Sequence, residues 1–315
     1  MPSRKPKLKV DLVIPVYNEQ GVVERTYEEI RRVIDALPCK FTFYYVDDGS
    51  EDGTLASLDA LAKNDRRVVV LELSRNFGHQ AALTAGLDAA QGDFVISMDA
   101  DGQHPPELIP EMIALFEQGY DIVQAQRVEA DDGFSFKQAT SSVFYKLINS
   151  ISGTQMVPGA ADFRGMSRQA VEALKSMPEY HRFLRGMVSA MGYRNIILPY
   201  RETKRVAGRS KYSLGKMVRL AMDAIFSFSL VPLYIGLSAG VLFFCLAAVE
   251  MIYVYSFWFK GDTSSIAPGW SSLMFVILIA SGVILIVLGF IGVYVGYIFQ
   301  QVKGRPVYHL KKRAE

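Results

Sequence analysis

The sequence is poor in cysteine. Two stand among 315 residues, too few for a disulfide framework or a four-thiolate zinc site. Cys39 precedes a β-like run and Cys245 lies inside an apolar one, so both read as free thiols. An excess of one charge is also missing. The 34 basic and 32 acidic side chains leave a formal net charge of +2, which excludes the broad basic field of a nucleic-acid binder. Only 21% of residues are charged and half are hydrophobic, so this is not a disordered chain. No Gly-x-Gly-x-x-Gly follows the first strand-like run, and no Gly-x-x-x-x-Gly-Lys-Ser/Thr occurs. A Rossmann dinucleotide site and a P-loop both need those glycines to bring backbone amides to phosphate. Phosphate has to be handled in another way here. The start, Met-Pro-Ser-Arg-Lys-Pro-Lys, has no apolar core and reads as free of a cleaved signal peptide.

What the chain does have is two long apolar runs. Leu230 to Phe259 is thirty residues with one charge, Glu250, and Trp270 to Phe299 is thirty more with none. Roughly 20 helical residues cross a hydrocarbon core, so each run can span a membrane with some tilt. Two buried helices of a soluble core are the alternative, but such helices seldom stay apolar for so long. The short gap between the runs makes a hairpin with both ends on one side. Seven Lys/Arg lie between Arg201 and Arg219, and Lys303, Arg305, Lys311, Lys312 and Arg313 follow the second run, whereas the connection has Lys260 alone. Positive flanks stay inside, which places both termini in the cytoplasm. Gly236-x-x-x-Gly240 and Gly292-x-x-x-Gly296 offer close helix contacts and permit self-association. Glu250 is either a snorkelling residue or a polar contact between helices. Met217, Leu220, Ala221, Ala224, Ile225 and Phe228, with Lys216 and Arg219 opposite, suit an interfacial amphipathic helix.

The N-terminal region alternates strand-like and helix-like segments. Strands are expected over 10–16, 41–46, 68–73, 93–98 and 121–126, with helical spacing over 21–37, 55–61, 81–90 and 107–118. This alternation indicates a parallel sheet covered on both faces, which binds ligands at the carboxyl ends of its strands. The polar clusters Tyr17-Asn18-Glu19, Asp47-Asp48, Ser74-Arg75-Asn76 and Asp99-x-Asp101 all fall at such ends. Asp99-Ala100-Asp101-Gly102-Gln103 directs alternating carboxylates past a buried strand. Hard oxygen ligands of this kind suit Mg²⁺ or Mn²⁺, and such an ion can bridge a diphosphate leaving group. The plain alternative is that Asp101 caps the next helix and Asp99 closes a turn.

These motifs carry a resemblance. VIPVYNE at 13–19, VDDGSEDGT at 46–54, SRNFGHQAAL at 74–83 and MDADGQHPPE at 98–107 resemble glycosyltransferase family 2. ADFRGMSRQAVEAL at 161–174, RVAGRSKYS at 205–213 and the apolar tail narrow the likeness to polyprenyl-phosphate glycosyltransferases, the bactoprenol glucosyltransferase and dolichol-phosphate mannose synthase-like group. The resemblance implies an α/β GT-A domain (a Rossmann-like nucleotide-diphospho-sugar transferase) over 1–200 and a basic, amphipathic juxtamembrane segment over 201–229. Two transmembrane helices within 230–300, at about 230–257 and 271–299, and a basic cytoplasmic tail over 301–315 would follow.

It also implies residue roles. Pro15, Tyr17 and Glu19 match the loop around the nucleotide base, and Asp47 the carboxylate that binds the base, with capping of the following helix as the alternative for Asp48. Asp99, Asp101 and Gln103 match the metal and diphosphate site, and Arg127 a basic residue near the donor phosphates. Asp162 and Arg164 match the segment that closes over sugar and acceptor, with Asp162 either a base or the holder of an arginine. Asp101, Asp162 and Arg164 form the implied catalytic set. Arg205, Ser210 and Lys211 match the acceptor-phosphate pattern. His79 and His104 are the nearby histidines, the latter a loop residue beside the metal. Gly102 stands where many members have leucine, and Ala161 where close relatives often have glycine. The implied reaction is inverting transfer of a sugar, first of all glucose from UDP-glucose, to polyprenyl phosphate at the cytoplasmic face of the plasma membrane. UDP-amino-arabinose or GDP-mannose as donor, or a non-catalytic membrane scaffold, are the alternatives. A processive synthase is excluded because neither Trp258 nor Trp270 follows an arginine.

Overall fold

A computed structural model describes residues 7–128, 160–180, 182–201, 231–260 and 269–311. The chain forms two compact units, Met1–Met217 with Arg305–Glu315, and Val218–Gly304.

The first unit is a seven-stranded sheet with helices against it. In chain order it has β1 (Lys9–Val16), α1 (Val23–Ile34), β2 (Lys40–Asp47), α2 (Thr54–Asn64), β3 (Val68–Glu72), α3 (His79–Ala89) and β4 (Phe94–Ser97). A 3₁₀ turn (Pro106–Leu108) leads into α4 (Ile109–Glu117), followed by β5 (Ile122–Arg127), β6 (Ala160–Ser167), α5 (Arg168–Ser176), α6 (Leu184–Ala190) and β7 (Asn195–Tyr200). Val10, Leu12, Val13 and Ile14 of β1 are wholly buried, because β1 is central and covered on both faces. Helix α1 buries Val23, Tyr27, Ile30 and Ile34, one stripe at helical spacing. Each such side chain contributes about 1.5–3 kcal/mol on full burial.

The strand order is β3-β2-β1-β4-β6-β5-β7. The sheet is mixed, which corrects the all-parallel expectation: β6 runs antiparallel to both β4 and β5. That reversal positions the site. Strands β1 to β5 deliver their carboxyl ends to one edge, and β6 starts at that edge, with Arg164 opposite Ser97 of β4 and Gln124 of β5. The first half of β6 therefore joins the strand ends.

Residues 305–311, expected as part of a basic tail, are built into this unit. Leu310 forms an antiparallel bridge with Leu73, and Tyr308 packs on a cluster of Val46, Leu73, Ala82 and Ala85.

The second unit contains α7 (Val231–Lys260) and α8 (Trp270–Val302). Gly236 lies against Val287, where an added Cβ would come within 2.8 Å of a methyl group. Gly240, Gly292 and Gly296 meet no described atom in this way, so of the four glycines only Gly236 marks a helix contact. Many large side chains stay exposed, among them Phe244, Val249, Leu285 and Ile298. Among the described residues one stretch, Ile279–Val302, is long and apolar enough to cross a membrane, and Leu233–Leu246 is shorter. Of the two spans expected at about 230–257 and 271–299, one such stretch is found among the described residues. Cys39 and Cys245 are free thiols, as their contexts suggest.

Candidate active site

The first two βα loops are laced together. The Asn18 amide donates to Ser50 Oγ (2.9 Å), the Glu51 amide to Asn18 Oδ1 (2.9 Å) and the Glu19 amide to Thr54 Oγ1 (2.9 Å). Asn18 takes a left-handed conformation (φ 52°), which asparagine tolerates. Tyr17 and Glu19 are thereby fixed beside the end of β2. Pro15, the last residue but one of β1, is paired with Val46. Asp47 is 1% exposed and both its carboxylate oxygens accept from the Ser50 amide at 3.3 Å. Burial pushes its pKa up, against the lowering by Ser50.

Asp48 does not cap α2. Its carboxylate accepts from the amides of Phe77 (2.7 Å) and Gly78 (2.9 Å), ahead of α3. The close fit depends on Gly49, whose φ is +69° and where a Cβ would lie 2.5 Å from the Arg75 carbonyl carbon. Asp48 thus fixes the turn that delivers His79, the first residue of α3.

His79 is the residue around which the centre assembles. Its Nε2 lies 3.5 Å from Asp99 and 3.4 Å from Asp162. Asp162 is 5% exposed, and Arg164 beside it 2%. Arg164 donates to Asp162 Oδ1 at 2.9 Å, and Arg185 of α6 grips both oxygens, at 3.1 and 3.0 Å. Gln80 ties these parts together, accepting the Leu184 amide at 3.1 Å and reaching Asp162 at 3.5 Å. Burial would raise the Asp162 pKa, but Arg185, His79 and Arg164 hold it well below the usual carboxylate range. Local desolvation opposes charge on His79, whose side chain stays 42% exposed, yet the Asp162 hydrogen bond and the two carboxylates lift its pKa to about 9. Burial lowers Arg164, and Asp162 counteracts it. Arg164, Arg185 and His79 thus set positive charge beside the carboxylates of Asp99 and Asp162, a setting for an anionic ligand. An Asp162 of such low basicity suits holding arginines better than taking a proton.

On the other side of Asp99, its amide donates to His104 Nδ1 at 2.9 Å. His104 stacks on Phe163 with ring centroids 5.0 Å apart, so it is a buried support for the loop. Asp101 Oδ1 accepts from the Gln103 amide at 3.0 Å, a local turn. Gly102 has φ +74°, which a leucine there would adopt only under strain. Among the described residues no three His, Cys, Asp or Glu side chains form a metal cluster. The donor chemistry of Asp99, Asp101 and Gln103 nonetheless fits Mg²⁺ or Mn²⁺, which are held by one or two carboxylates with water and phosphate completing the shell.

Arg127 ends β5 opposite Tyr200, on the same edge of the sheet. Arg205, Ser210, Lys211 and the amphipathic segment lie outside the described residues. In the sequence alone Asp101, Asp162 and Arg164 are grouped only through the family, Asp99 is a metal and nucleotide residue, His79 has no role, and Arg185 and Gln80 are not identified. The signal for His79 was its place at the start of α3. Arg185 has no local signal, since it meets Asp162 only through the packing of α6.

The profile of Glycosyl transferase family 2 matches residues 11–175. The chain is similar to the uncharacterized glycosyltransferase YkcC of Bacillus subtilis (strain 168), 38% identical over 306 residues, covering 97% of this chain and 94% of that protein. It is similar to the bactoprenol glucosyl transferase of Shigella phage SfII, also 38% identical, over 97% of this chain and 98% of the relative. Among solved structures, mannosyl-3-phosphoglycerate synthase from Rubrobacter xylanophilus aligns with a TM-score of 0.49 at 20% identity, over 69% and 72% of the two chains.

Proposed function

The chain belongs to glycosyltransferase family 2, and from that premise we propose that it transfers glucose from UDP-glucose to a polyprenyl phosphate at the cytoplasmic face of the plasma membrane. The observation that carries this reading is the meeting of Asp99 with the His79–Asp162–Arg185 cluster at the carboxyl edge of the sheet. That edge offers oxygen ligands and positive charge side by side, as a nucleotide diphosphate requires. The near full-length similarity to a bactoprenol glucosyl transferase supports the lipid acceptor.

Each group then has a task. Pro15, Tyr17, Glu19 and Asp47 hold the base in the laced loops. Asp99, Asp101 and Gln103 would hold Mg²⁺ or Mn²⁺, which when bound neutralises charge on the departing diphosphate. Arg127 lies near the donor phosphates, with His79 adding positive charge there. Arg164 and Arg185, fixed by Asp162, orient sugar and acceptor. A lipid phosphate oxygen attacks the anomeric carbon, the bond to the UDP β-phosphate oxygen breaks, and UDP leaves with the electron pair, inverting the centre. A phosphate monoester has a second pKa near 6 and is largely dianionic at pH 7, so no proton has to move. Positioning and charge stabilisation do most of the work, in keeping with the poor basicity of Asp162. Arg205, Ser210 and Lys211 take the acceptor phosphate.

The exposed apolar faces of α7 and α8 support a membrane hairpin, with the basic flanks and the catalytic unit in the cytoplasm. UDP release from UDP-glucose tests the whole reading. It should require both polyprenyl phosphate and a divalent ion, stop with chelator and fall by at least about a hundredfold in Asp101→Asn. Undiminished turnover of Asp101→Asn in excess chelator would contradict the metal assignment. Lys211→Ala should raise the KM for lipid about tenfold or more, also at high salt, while Lys216→Ala should not. Equal and salt-erased defects in the two would contradict a specific phosphate site.

A further inference from the structure

The docked C-terminal segment completes a cleft in the first unit, and no residue assigned to donor or acceptor lines it. Tyr308 anchors the segment by donating to Asp88 of α3 at 2.9 Å. The Ser74 amide donates to the His309 carbonyl (2.9 Å) and the Lys311 amide to the Glu72 carbonyl (2.8 Å). Lys311 Nζ pairs with Glu72, which is 11% exposed, at 2.7 Å. Between this segment and the β3–α3 loop lies a cleft of about 570 Å³, whose walls include Arg75, Arg305, His309, Phe77, Val307 and Tyr180.

The chemistry of those walls is specific. The Arg75 guanidinium lies over the Phe77 ring, 4.2 Å from its centroid, and the His309 ring meets Phe77 at 6.0 Å. Arg75 Nη1 donates to the Asn76 carbonyl at 3.2 Å. Among the described residues neither Arg75 nor Arg305 has an ion-pair partner. A stacked guanidinium keeps its edge available for an oxyanion, and a fork of N–H donors matches phosphate geometry. Phe77, Val307 and Tyr180 supply apolar surface beside those donors. A phosphate group attached to an apolar body fits both halves of the lining.

We infer that this cleft holds the phosphate of an anionic membrane lipid, distinct from the acceptor. The phosphate chemistry comes from the two arginines. The lipid source rests on the reading of α8 as membrane-spanning, because Arg305 follows its last residue, Val302, by three positions. A free phosphate offers the same anion without the apolar body, and the test separates the two.

The full chain is placed in nanodiscs with a photoactivatable phosphatidylglycerol, and the labelled peptides are identified by mass spectrometry. Label is expected on peptides carrying 74–77 and 305–309. It should fall about tenfold in Arg305→Glu, the loss of one charge-assisted contact, and be retained only in part in Arg305→Lys, whose ammonium keeps the charge but not the fork. Unlabelled phosphatidylglycerol should compete, whereas phosphatidylcholine and millimolar inorganic phosphate should not. Label unchanged in Arg305→Glu, or equal competition by phosphatidylcholine, overturns the site. Displacement by inorganic phosphate overturns the lipid assignment. Carbonate extraction of wild-type membranes reports on α8 separately. Protein that resists extraction but takes no label contradicts the cleft and leaves the membrane reading standing. Protein released by carbonate contradicts the lipid source together with that reading.

Discussion

Asp162 is held by three cations, and of these Arg185 is the one whose loss is easiest to read. Arg185→Ala removes two hydrogen bonds to a buried carboxylate, each charge-assisted and together contributing about 1.5–3 kcal/mol. A fall in kcat/KM of roughly tenfold to a hundredfold follows. Arg185→Lys should recover only part of it, because an ammonium cannot fork. Steady-state kinetics of the two variants check this, and an unimpaired Arg185→Ala would remove Arg185 from the site. Gly49→Ala tests the turn instead. The added Cβ would meet the Arg75 backbone at 2.5 Å with φ at +69°, and about 2–4 kcal/mol of destabilisation is expected from strain and overpacking. A thermal melt unchanged from wild type would refute that. Legible in sequence was the placement of Asp47, Asp99 and Asp101 at or just past strand ends, where motif and topology agree. The role of Asp48 is not legible in sequence because its partners, the Phe77 and Gly78 amides, lie 29 and 30 positions away, and no local pattern announces such a bond.

At the scale of elements, the apolar runs announced β1 to β5 and the helices between them. Strand β6 was hidden because it is buried while carrying Asp162 and Arg164, so no apolar run marks it. Its antiparallel direction is set by packing between β4 and β5. Two element contacts can be tested. Asp65, after α2, accepts from Tyr27 of α1 (2.7 Å) and pairs with Arg67 (2.8 Å), the residue before β3. Burial opposes its charge, but Arg67 and Tyr27 depress its pKa from 3.8 to about 2. A depressed carboxylate stabilises the fold above its unfolded pKa, and that contribution is lost as pH falls through about 4 to about 2. The pH dependence of unfolding should therefore weaken in Asp65→Asn by about 1–2 kcal/mol across that window, and an unchanged slope would contradict the clasp. Deleting 306–315 should leave the Ser74 amide without its His309 acceptor and open the niche filled by Tyr308. Hydrogen exchange at Ser74 and Leu73 should then speed up by at least about tenfold. Exchange as slow as in the full chain would mean that the segment does not hold the edge of the sheet.

For the molecule as a whole, composition separated a catalytic α/β region from an apolar helical one starting at about residue 230, whereas the two compact units divide after Met217 and the chain rejoins the first at Arg305. What composition could not convey is that the end of the chain is part of the first unit, since Tyr308 to Lys311 are individually unremarkable and gain meaning only from β3 and α3. The proposed reaction of this family 2 glycosyltransferase is transfer of a sugar to a lipid phosphate. Its most direct test is the mass of the lipid formed when the full chain, in membranes, is given polyprenyl phosphate with each of a set of sugar nucleotides. The account predicts a new lipid heavier by one hexosyl residue with UDP-glucose, formed with Mg²⁺ or Mn²⁺ present and absent with Asp101→Asn. No lipid product with any donor, from a protein that still binds UDP-glucose, would contradict it.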